Sequence, residues 1–432
     1  MTPMHTEEVG SVSNPTPRRP IQARGVDRRL RALKPEILAL VERIIDSGVI
    51  EKGPHVAALA REFQQLCHAP NQPVPCDSGT DALKMALLAS GVGPGDEVLV
   101  PQLSFMSTAS AVHEVGATPV FVDIEAEADT YAMSPRAAEA AIAARTRAVI
   151  PVHVFGLPVD ADALLALGER SHLTIIGDAA QAHGARYKER MVGNLGFAFE
   201  TFSLAAVKNI GGWRFGGMVT YRDPRMQLLL HQLADLGRSP GESYVHAVHG
   251  LRANMDEFNA AIIRLQLTHL EEWNALRREQ AAEHDAGLAD LAPALRTPVQ
   301  LPERVSAYWQ YCLRCESREL RDVLHASLRA RGIETTHYPC VLSEQPAITS
   351  GRKPYRVVSA AAAQKAVGEQ LWLPFWPEMP EEDRVYLRQC VREVVNSGAG
   401  RRKIYAMEWK AAEMRRTSDD SNDSNEHTYD DE

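Results

Sequence analysis

The chain has 432 residues, of which 45% are hydrophobic and 24% are charged, a composition typical of a globular protein with a sizeable buried core. No apolar run approaches the roughly 20 residues that a membrane-spanning helix needs, and the first twenty residues lack the apolar stretch of a secretory signal. Six cysteines are too few for a disulfide framework in a chain of this length, which favours a cytoplasmic location.

The acidic balance of the chain comes mostly from one end. The formal net charge is −9, but the segment from Thr417 to Glu432 contains seven acidic residues and no Lys or Arg; without it the charge is −2. The sequence therefore predicts no nucleic-acid-binding surface. We expect residues 401–432 to be a C-terminal extension with a disordered acidic tail, either a solvating appendage or an interaction segment. Residues 1–25, rich in Pro, Ser and Thr, are expected to be a flexible N-terminal segment.

Helical and strand patterns alternate through the first half of the chain. Apolar residues at helical spacing predict helices over 28–47 and 55–67. From Ser78 onward, helical segments alternate with short apolar runs at 98–100, 119–122, 148–152 and 173–176. Strands separated in this way pair in parallel through right-handed crossovers. The pattern predicts a large α/β sheet domain over residues 26–254.

The pattern changes after about Gly250. Residues 255–275 predict one long helix that leads out of the first domain. Beyond Pro298, a strand-like run at 308–313 is followed by helical patterns at 320–331 and 381–395. We therefore expect a bridging helix and a smaller α+β domain over residues 255–400.

Two segments of the first domain contain candidates for ligand binding. Gly79 and Thr80 stand at the start of a predicted helix, whose free N–H groups and partial positive charge suit a phosphate. An ordinary N-cap by Ser78 or Thr80 is the alternative explanation. Asp178 follows a strongly apolar strand, at the edge where parallel sheets bind ligands, although a turn-forming Asp also fits.

A third segment contains a candidate nucleophile. Lys208 lies among small and apolar residues, where a lysine tends to lose its proton, and an uncharged amine is what a Schiff-base nucleophile needs. A surface lysine in a Gly-rich loop is the alternative. A phosphate anchor, then a strand-end Asp, then a Lys 30 residues later is the order found in fold-type-I pyridoxal phosphate (PLP) enzymes.

From about Arg31 to about Val394 the chain resembles the DegT/StrS family of sugar aminotransferases. The similar parts are SGTDAL with the following GVGPGDEVLVP, DAAQAHGA, the spacing from Ser203 to Lys208 ahead of Asn209, and MDEFNAAI. The resemblance implies PLP fold type I, with a large mostly parallel sheet domain, helices on both of its faces and a smaller C-terminal α+β domain. It also implies a homodimer with shared active sites.

The resemblance assigns roles to individual residues. Lys208 matches the lysine that links covalently to PLP, Asp178 matches the acid that pairs with the pyridine nitrogen, and Gln181 matches the residue beside the phenolic oxygen. Gly79, Thr80 and Ser203 match the phosphate contacts, and Phe105 matches the aromatic that stacks on the ring. Weaker matches to the substrate site are His183, which a structural role explains equally well, and His337 and Tyr338.

Two departures from the family pattern bear on these roles. Family members often have Asn-x-Arg where this chain has Arg252-Ala253-Asn254, and we expect Arg252 or Asn254 to reach the cofactor phosphate in a neighbouring subunit. The residues before Lys208, 204–207, replace the usual aromatic or His followed by Pro or Ser/Thr. The changes around Lys208 are expected to alter the substrate pocket more than the reaction type.

The sequence thus predicts a PLP-dependent aminotransferase that moves an amino group from an amino acid, L-glutamate or glutamine, to a nucleotide-linked keto sugar. Ketocyclitol amination, formation of an aminohydroxybenzoate-type product and a catalytically silent PLP-binding subunit remain alternatives. No metal is expected. Cys312 and Cys315 stand three apart in a strand-like run, so they face opposite sides of the strand and fit core cysteines.

Overall fold

The computed structural model describes residues 19–125 and 129–397. Most of the predicted N-terminal segment and all of the predicted extension over 401–432 lie outside these ranges. Among the described residues, no helix combines the length and apolar character that crossing a membrane requires.

The described regular elements alternate along the chain. The α-helices are α1 Val26–Ala32, α2 Lys34–Ser47, α3 Pro54–Cys67, α4 Gly79–Ala89, α5 Ser107–Glu114, α6 Pro135–Ala141, α7 Ala161–Ser171, α8 Met226–Ala234, α9 Glu257–Leu267, α10 Leu270–Leu288, α11 Arg318–Ala330, α12 Pro346–Thr349, α13 Ala361–Glu369 and α14 Glu381–Asn396. The strands are β1 Val74–Cys76, β2 Glu97–Pro101, β3 Thr118–Val122, β4 Thr146–Val149, β5 Thr174–Asp178, β6 Arg186–Tyr187, β7 Arg190–Met191, β8 Phe199–Ser203, β9 Gly217–Tyr221, β10 Leu295–Arg296, β11 Arg304–Val305, β12 Tyr311–Cys315, β13 Arg356–Val357 and β14 Gln370–Leu373. Short 3-10 turns occupy Val154–Gly156, Ala289–Leu291 and Leu342–Glu344.

One large sheet organises the molecule. Its strand order is β1-β9-β8-β5-β4-β2-β3-β13. All pairs from β8 to β13 are parallel, whereas β9 runs antiparallel to both β1 and β8. The four strands predicted from short apolar runs are β2 to β5, and the predicted mostly parallel sheet is confirmed. Strand β13 comes from the C-terminal part of the chain, so that part also contributes to the large sheet; the division at residues 254 and 255 stays a prediction.

Both faces of the large sheet are covered by helices. Met218 of β9 packs into a core cluster with Leu59 and Phe63 of α3, on one face. The next residue, Val219, points the other way and packs with Leu83 of α4, on the opposite face. This alternation places apolar residues on both sides of the strands, as a parallel sheet between two helical layers requires.

A second, smaller sheet lies in the C-terminal part. It has the strand order β10-β12-β14, and its strands are antiparallel. Leu313 of β12 belongs to a buried cluster with Leu324 of α11 and Leu387 of α14. The expected α+β character of this part is therefore present.

Two of the predicted helices are interrupted, which corrects the sequence interpretation. The helix predicted over 28–47 is α1 followed by α2, because Pro35 at the start of α2 has no N–H and its ring crowds the preceding turn. The helix predicted over 255–275 is α9 followed by α10. There the Thr268 hydroxyl donates to the carbonyl of Leu265 (2.7 Å), competing with the backbone at the end of α9.

Candidate active site

The predicted site residues meet at the edge of the sheet formed by the carboxyl ends of the parallel strands. Asp178 is the last residue of β5, and Ser203 is the last residue of the neighbouring strand β8. Helix α4 begins at Gly79, directly against Ser203: a Cβ added at Gly79 would lie 2.7 Å from the Ser203 Cβ. The start of α4 can therefore approach the end of β8 this closely only because residue 79 is a glycine, which has no Cβ.

The start of α4 forms a cradle for an anion. Ser78 is the N-cap, and its hydroxyl accepts from the Asp81 N–H (3.1 Å). The cap and the predicted phosphate site coexist, because the N–H groups of the first turn still point outward without an intrahelical acceptor. The Thr80 hydroxyl donates to the Ser107 hydroxyl (2.8 Å), which adds two side-chain hydroxyls beside that of Ser203.

Asp178 is almost fully buried, with 5% of its surface exposed. One carboxylate oxygen accepts from the Thr108 hydroxyl (2.9 Å) and the other from the Ala180 N–H (3.2 Å). Burial raises the pKa of Asp178, while these two hydrogen bonds and the charge of Lys208 oppose that rise. The carboxylate is therefore fixed in place and has Lys208 within electrostatic reach.

Lys208 lies in the loop between β8 and β9, half-buried. Its Nζ atom lies 4.2 Å from the centroid of the Trp309 ring. Burial lowers the pKa of Lys208 to about 8, with Arg24 lowering it further and Asp178 partly raising it. A fraction of the lysine is therefore uncharged near neutral pH, as a nucleophilic amine requires.

Two side chains that the sequence analysis did not single out hold the loop around Lys208. The Trp309 indole N–H donates to the Val207 carbonyl (3.0 Å). Arg29 of α1 donates to three further carbonyl oxygens, those of Ala206, Lys208 and Asn209. Together they bind every carbonyl from 206 to 209. Arg29 occupies a position on the apolar face of its helix, four residues before the buried Leu33. A charged residue on an apolar face is the sequence signal that could have identified Arg29 as a functional residue.

The residues present fit PLP. The cradle at Gly79 suits its phosphate, and the buried carboxylate of Asp178 suits its pyridine nitrogen. Phe105 leaves 65% of its surface exposed, so a ring face is free for stacking. Gln181 is buried, and its side-chain oxygen accepts from the Phe155 N–H (2.6 Å).

The residues suggested for the substrate site are placed differently from one another. His183 is completely buried against Phe202, with a ring-centroid distance of 5.5 Å. Burial lowers the pKa of His183 to about 3. Tyr338 is half-buried beside Trp372, with centroids 4.8 Å apart, while His337 faces the His325 ring at 5.1 Å.

Arg252 and Asn254 make contacts within their own chain. Arg252 forms an exposed ion pair with Glu51 (3.6 Å), and the Asn254 amide donates to Asp235 (2.8 Å). Between them, the Ala253 carbonyl accepts from the Asp77 N–H (2.9 Å), which ties this segment to the loop before α4.

The cysteines are free thiols, and Cys312 and Cys315 are both buried. Burial raises the pKa of the Cys312 thiol to about 12. Within residues 19–125 and 129–397, no group of three or more His, Cys, Asp or Glu side chains could hold a metal ion.

Comparisons with known proteins agree with this arrangement. The model of the DegT/DnrJ/EryC1/StrS aminotransferase family matches residues 31–392. The dTDP-3-amino-3,4,6-trideoxy-alpha-D-glucose transaminase of Streptomyces venezuelae is 38% identical over 84% of this chain and 92% of that protein. A pleiotropic regulatory protein of Geobacillus stearothermophilus is 36% identical over 84% of this chain and 95% of that protein.

Solved structures show the same fold. The crystal structure of S. venezuelae DesV in complex with a ketimine intermediate has a TM-score of 0.81 and 35% identity, covering 88% of this chain and 99% of that one. The PLP form of Spr1654 from Streptococcus pneumoniae has a TM-score of 0.77 and 25% identity, covering 84% of this chain and 96% of that one.

Proposed function

The chain belongs to the DegT/DnrJ/EryC1/StrS aminotransferase family, and we propose that it transfers the amino group of L-glutamate to a nucleotide-linked keto-deoxyhexose. Its fold is that of the PLP-dependent aminotransferases of fold type I, and it is a PLP-dependent aminotransferase. The resemblance seen in the sequence is thereby confirmed. The donor, the acceptor and the roles of individual residues are the parts that we propose.

The observation that carries the proposal is the combination of Lys208, with its lowered pKa, and the buried carboxylate of Asp178 beside the cradle of α4. Gly79, Thr80 and Ser203 would hold the phosphate of PLP, Phe105 would stack on its ring, and Asp178 would keep its pyridine nitrogen protonated. When bound, PLP supplies an electron sink for negative charge that develops beside the substrate amine.

The side chains of this chain then do the remaining work. In the first half-reaction the uncharged amine of Lys208 would move a proton from the α-carbon of the amino donor to the carbon of PLP that bears the amino group. In the second half it would move a proton from that carbon to the former ketone carbon of the sugar. The loop clamp formed by Arg29 and Trp309 holds the backbone of Lys208 still, so that the amine reaches the reacting carbon in one geometry. Asp178, fixed by Thr108 and the Ala180 N–H, keeps its carboxylate aligned throughout.

The acceptor class rests on the relatives. The S. venezuelae relative is named for a dTDP-linked amino sugar and matches most of both chains. Tyr338 and His337, which the family resemblance assigns to the substrate site, would contact such a sugar. The altered residues 204–207 beside Lys208 would then select which sugar is accepted.

A catalytically silent, regulatory subunit is the second candidate. The G. stearothermophilus relative is named as a regulatory protein, and the loop before Lys208 departs from the usual family pattern. A silent subunit would bind PLP and leave amino donors unchanged, which distinguishes it from an aminotransferase.

We also propose a cytoplasmic homodimer in which Arg252 or Asn254 of one chain contributes to the site of the other. Exposed apolar side chains near the site, Trp213 with 67% and Phe215 with 47% of their surfaces exposed, support a covering partner. The free thiols of all six cysteines support a reducing compartment.

The acceptor is tested by incubating PLP-loaded protein and L-glutamate with three ketones. These are a dTDP-linked keto-deoxyhexose, the same sugar without its nucleotide, and a ketocyclitol. We expect an aminated product, identified by mass spectrometry, with the nucleotide-linked sugar, and none when Lys208→Ala replaces the wild type. Preferential amination of the cyclitol or the free sugar would contradict the proposed acceptor, and no amination of any ketone would favour the silent subunit.

A further inference from the structure

A small pocket beside Lys208 brings together three arginines from different parts of the chain. Arg24 precedes α1, Arg29 lies within α1, and Arg277 lies on α10. Trp309 forms one wall of the pocket. The Arg24 guanidinium carbon lies 4.8 Å from the centroid of the Trp309 ring. The Lys208 amine lies against the same ring.

The positive charge of this pocket is not neutralised by the described residues. Arg29 and Arg277 leave only 8% and 6% of their surfaces exposed. Their hydrogen bonds go to backbone carbonyl oxygens, and within the described part of the chain none of the three guanidinium groups forms an ion pair with a carboxylate. The acid at the pocket mouth, Glu378, is exposed. Several buried cations without a counter-ion are unfavourable, which points to a missing anion.

The pocket also has unused hydrogen-bond donors. The Nε–H groups of Arg24, Arg29 and Arg277 are all buried, and none of them has an acceptor among the described residues. Buried N–H groups are normally paired, so three orphaned donors lining one pocket indicate a ligand with several acceptor oxygens. Burial, and then repulsion by the other two arginines, lowers the pKa of Arg277 to about 9, in agreement with a shortage of negative charge.

We propose that this pocket, which we name the arginine pocket after Arg24, Arg29 and Arg277, binds the α-carboxylate of the amino donor. The inference rests on the proposed function, because it identifies which group of the donor the site recognises. A guanidinium presents a planar fork of donors that matches a carboxylate. The position beside Lys208 favours this group: the α-carboxylate is bonded directly to the carbon whose proton Lys208 moves, whereas the diphosphate of a nucleotide sugar is several bonds from the ketone.

The test uses PLP-loaded protein and glutarate, a dicarboxylate that has no amine and so cannot react. Binding of glutarate is measured by calorimetry for the wild type and for Arg24→Gln. The control is Arg28→Gln, which removes the same charge from an exposed neighbour that packs on the Trp376 ring but does not itself line the arginine pocket. Arg24→Lys serves as a second variant if Arg24→Gln fails to fold, because lysine keeps the positive charge but lacks the planar set of guanidinium donors.

We expect Arg24→Gln to weaken glutarate binding about tenfold and to raise the KM for L-glutamate by a similar factor, with kcat changed far less, since one charge-assisted contact is lost. Arg28→Gln should bind glutarate like the wild type, and the affinity for dTDP should be the same in all variants.

Unchanged glutarate binding in Arg24→Gln would overturn the inference. So would an Arg24→Gln variant in which the binding of dTDP is weakened and the binding of glutarate is not. Because glutarate binding needs no turnover, a protein that binds glutarate through Arg24 but aminates no keto sugar would support the pocket while contradicting the proposed acceptor.

Discussion

At the scale of single residues, the reactivity of the site depends on the surroundings of one lysine. The type and order of Asp178 and Lys208 were visible in the sequence, since Asp178 follows a predicted strand and Lys208 stands among small and apolar residues. Their partners were not, because Arg24, Arg29 and Trp309 come from segments far apart in the chain and meet Lys208 only in the folded structure. Sequence patterns report neighbours along the chain, so contacts of this kind escape them.

The first prediction concerns the pH at which Lys208 becomes reactive. Burial and the charge of Arg24 lower its pKa to about 8 from the ordinary 10.5, so the amine loses its proton at a lower pH than an exposed lysine. In PLP-free protein, reductive methylation of Lys208, followed peptide by peptide by mass spectrometry, should rise with a midpoint near pH 8. Asp178→Asn should move that midpoint downward, because the lost carboxylate had favoured the ammonium. A midpoint near 10.5 in the wild type would contradict the environment described for this lysine.

The second prediction concerns the clamp on the Lys208 loop. Arg29→Met removes three hydrogen bonds to carbonyl oxygens and leaves those oxygens without their donors. We expect the free energy of unfolding to fall by about 3 kcal/mol and kcat to fall about tenfold. Urea unfolding and steady-state kinetics measure the two effects. Arg31→Met in the same helix is the matched control, since Arg31 is exposed and pairs only with Asp27 among the described residues; equal losses in both variants would rule out the clamp.

At the scale of elements, the helix starts and strand ends position the chemistry. Helical spacing located α3 closely, because this helix is amphipathic and buries its apolar face against the large sheet. The sequence did not predict the two helix interruptions, at Pro35 and at Thr268. Each of these residues interrupts a helix through a single backbone group, and hydrophobic periodicity does not detect such an effect. Strands β1, β8 and β9 were not predicted, although β8 supplies Ser203. Strand β1 has only three residues, and β8 and β9 are joined by a loop without the intervening helix that marked the predicted strands.

The third prediction tests the contact between α4 and β8. In Gly79→Ala the new Cβ would meet the Ser203 Cβ at 2.7 Å and its Cα at 3.0 Å, so the helix start must move away from the strand end. We expect PLP to bind about tenfold more weakly and the free energy of unfolding to fall by about 1–3 kcal/mol. Fluorescence titration with PLP and thermal unfolding provide the measurements. Gly93→Ala is the control, since nothing lies within 4 Å of a Cβ there, and PLP affinity equal to that of the control would show that the close approach is unimportant.

At the scale of the whole molecule, fold class and family were accessible from sequence because four motifs stood in the right order along most of the chain. The same resemblance implies that two chains share their sites, which stays a prediction; in the single chain Arg252 and Asn254 contact Glu51 and Asp235. The exposed apolar side chains Trp213 and Phe215 are left for a second copy to cover.

The fourth prediction addresses that sharing. Lys208→Ala and Arg252→Ala should each be inactive as homodimers. If Arg252 serves the partner's site, a mixed dimer has one site with both residues intact, so unfolding and refolding an equal mixture should restore about a quarter of wild-type activity. An Arg252→Ala homodimer with full activity, or a mixture that regains nothing although mixed dimers are detected by mass, would contradict a shared site.

The most direct test of the central claim, an aminotransferase that works through Lys208, is an absorbance spectrum of PLP-loaded protein before and after addition of L-glutamate. We predict a yellow band from PLP bound to Lys208 that glutamate bleaches to the pyridoxamine form, with the band missing in Lys208→Ala. A band that neither glutamate nor glutamine alters would contradict aminotransferase activity, and the absence of any band after reconstitution with PLP would contradict the site itself.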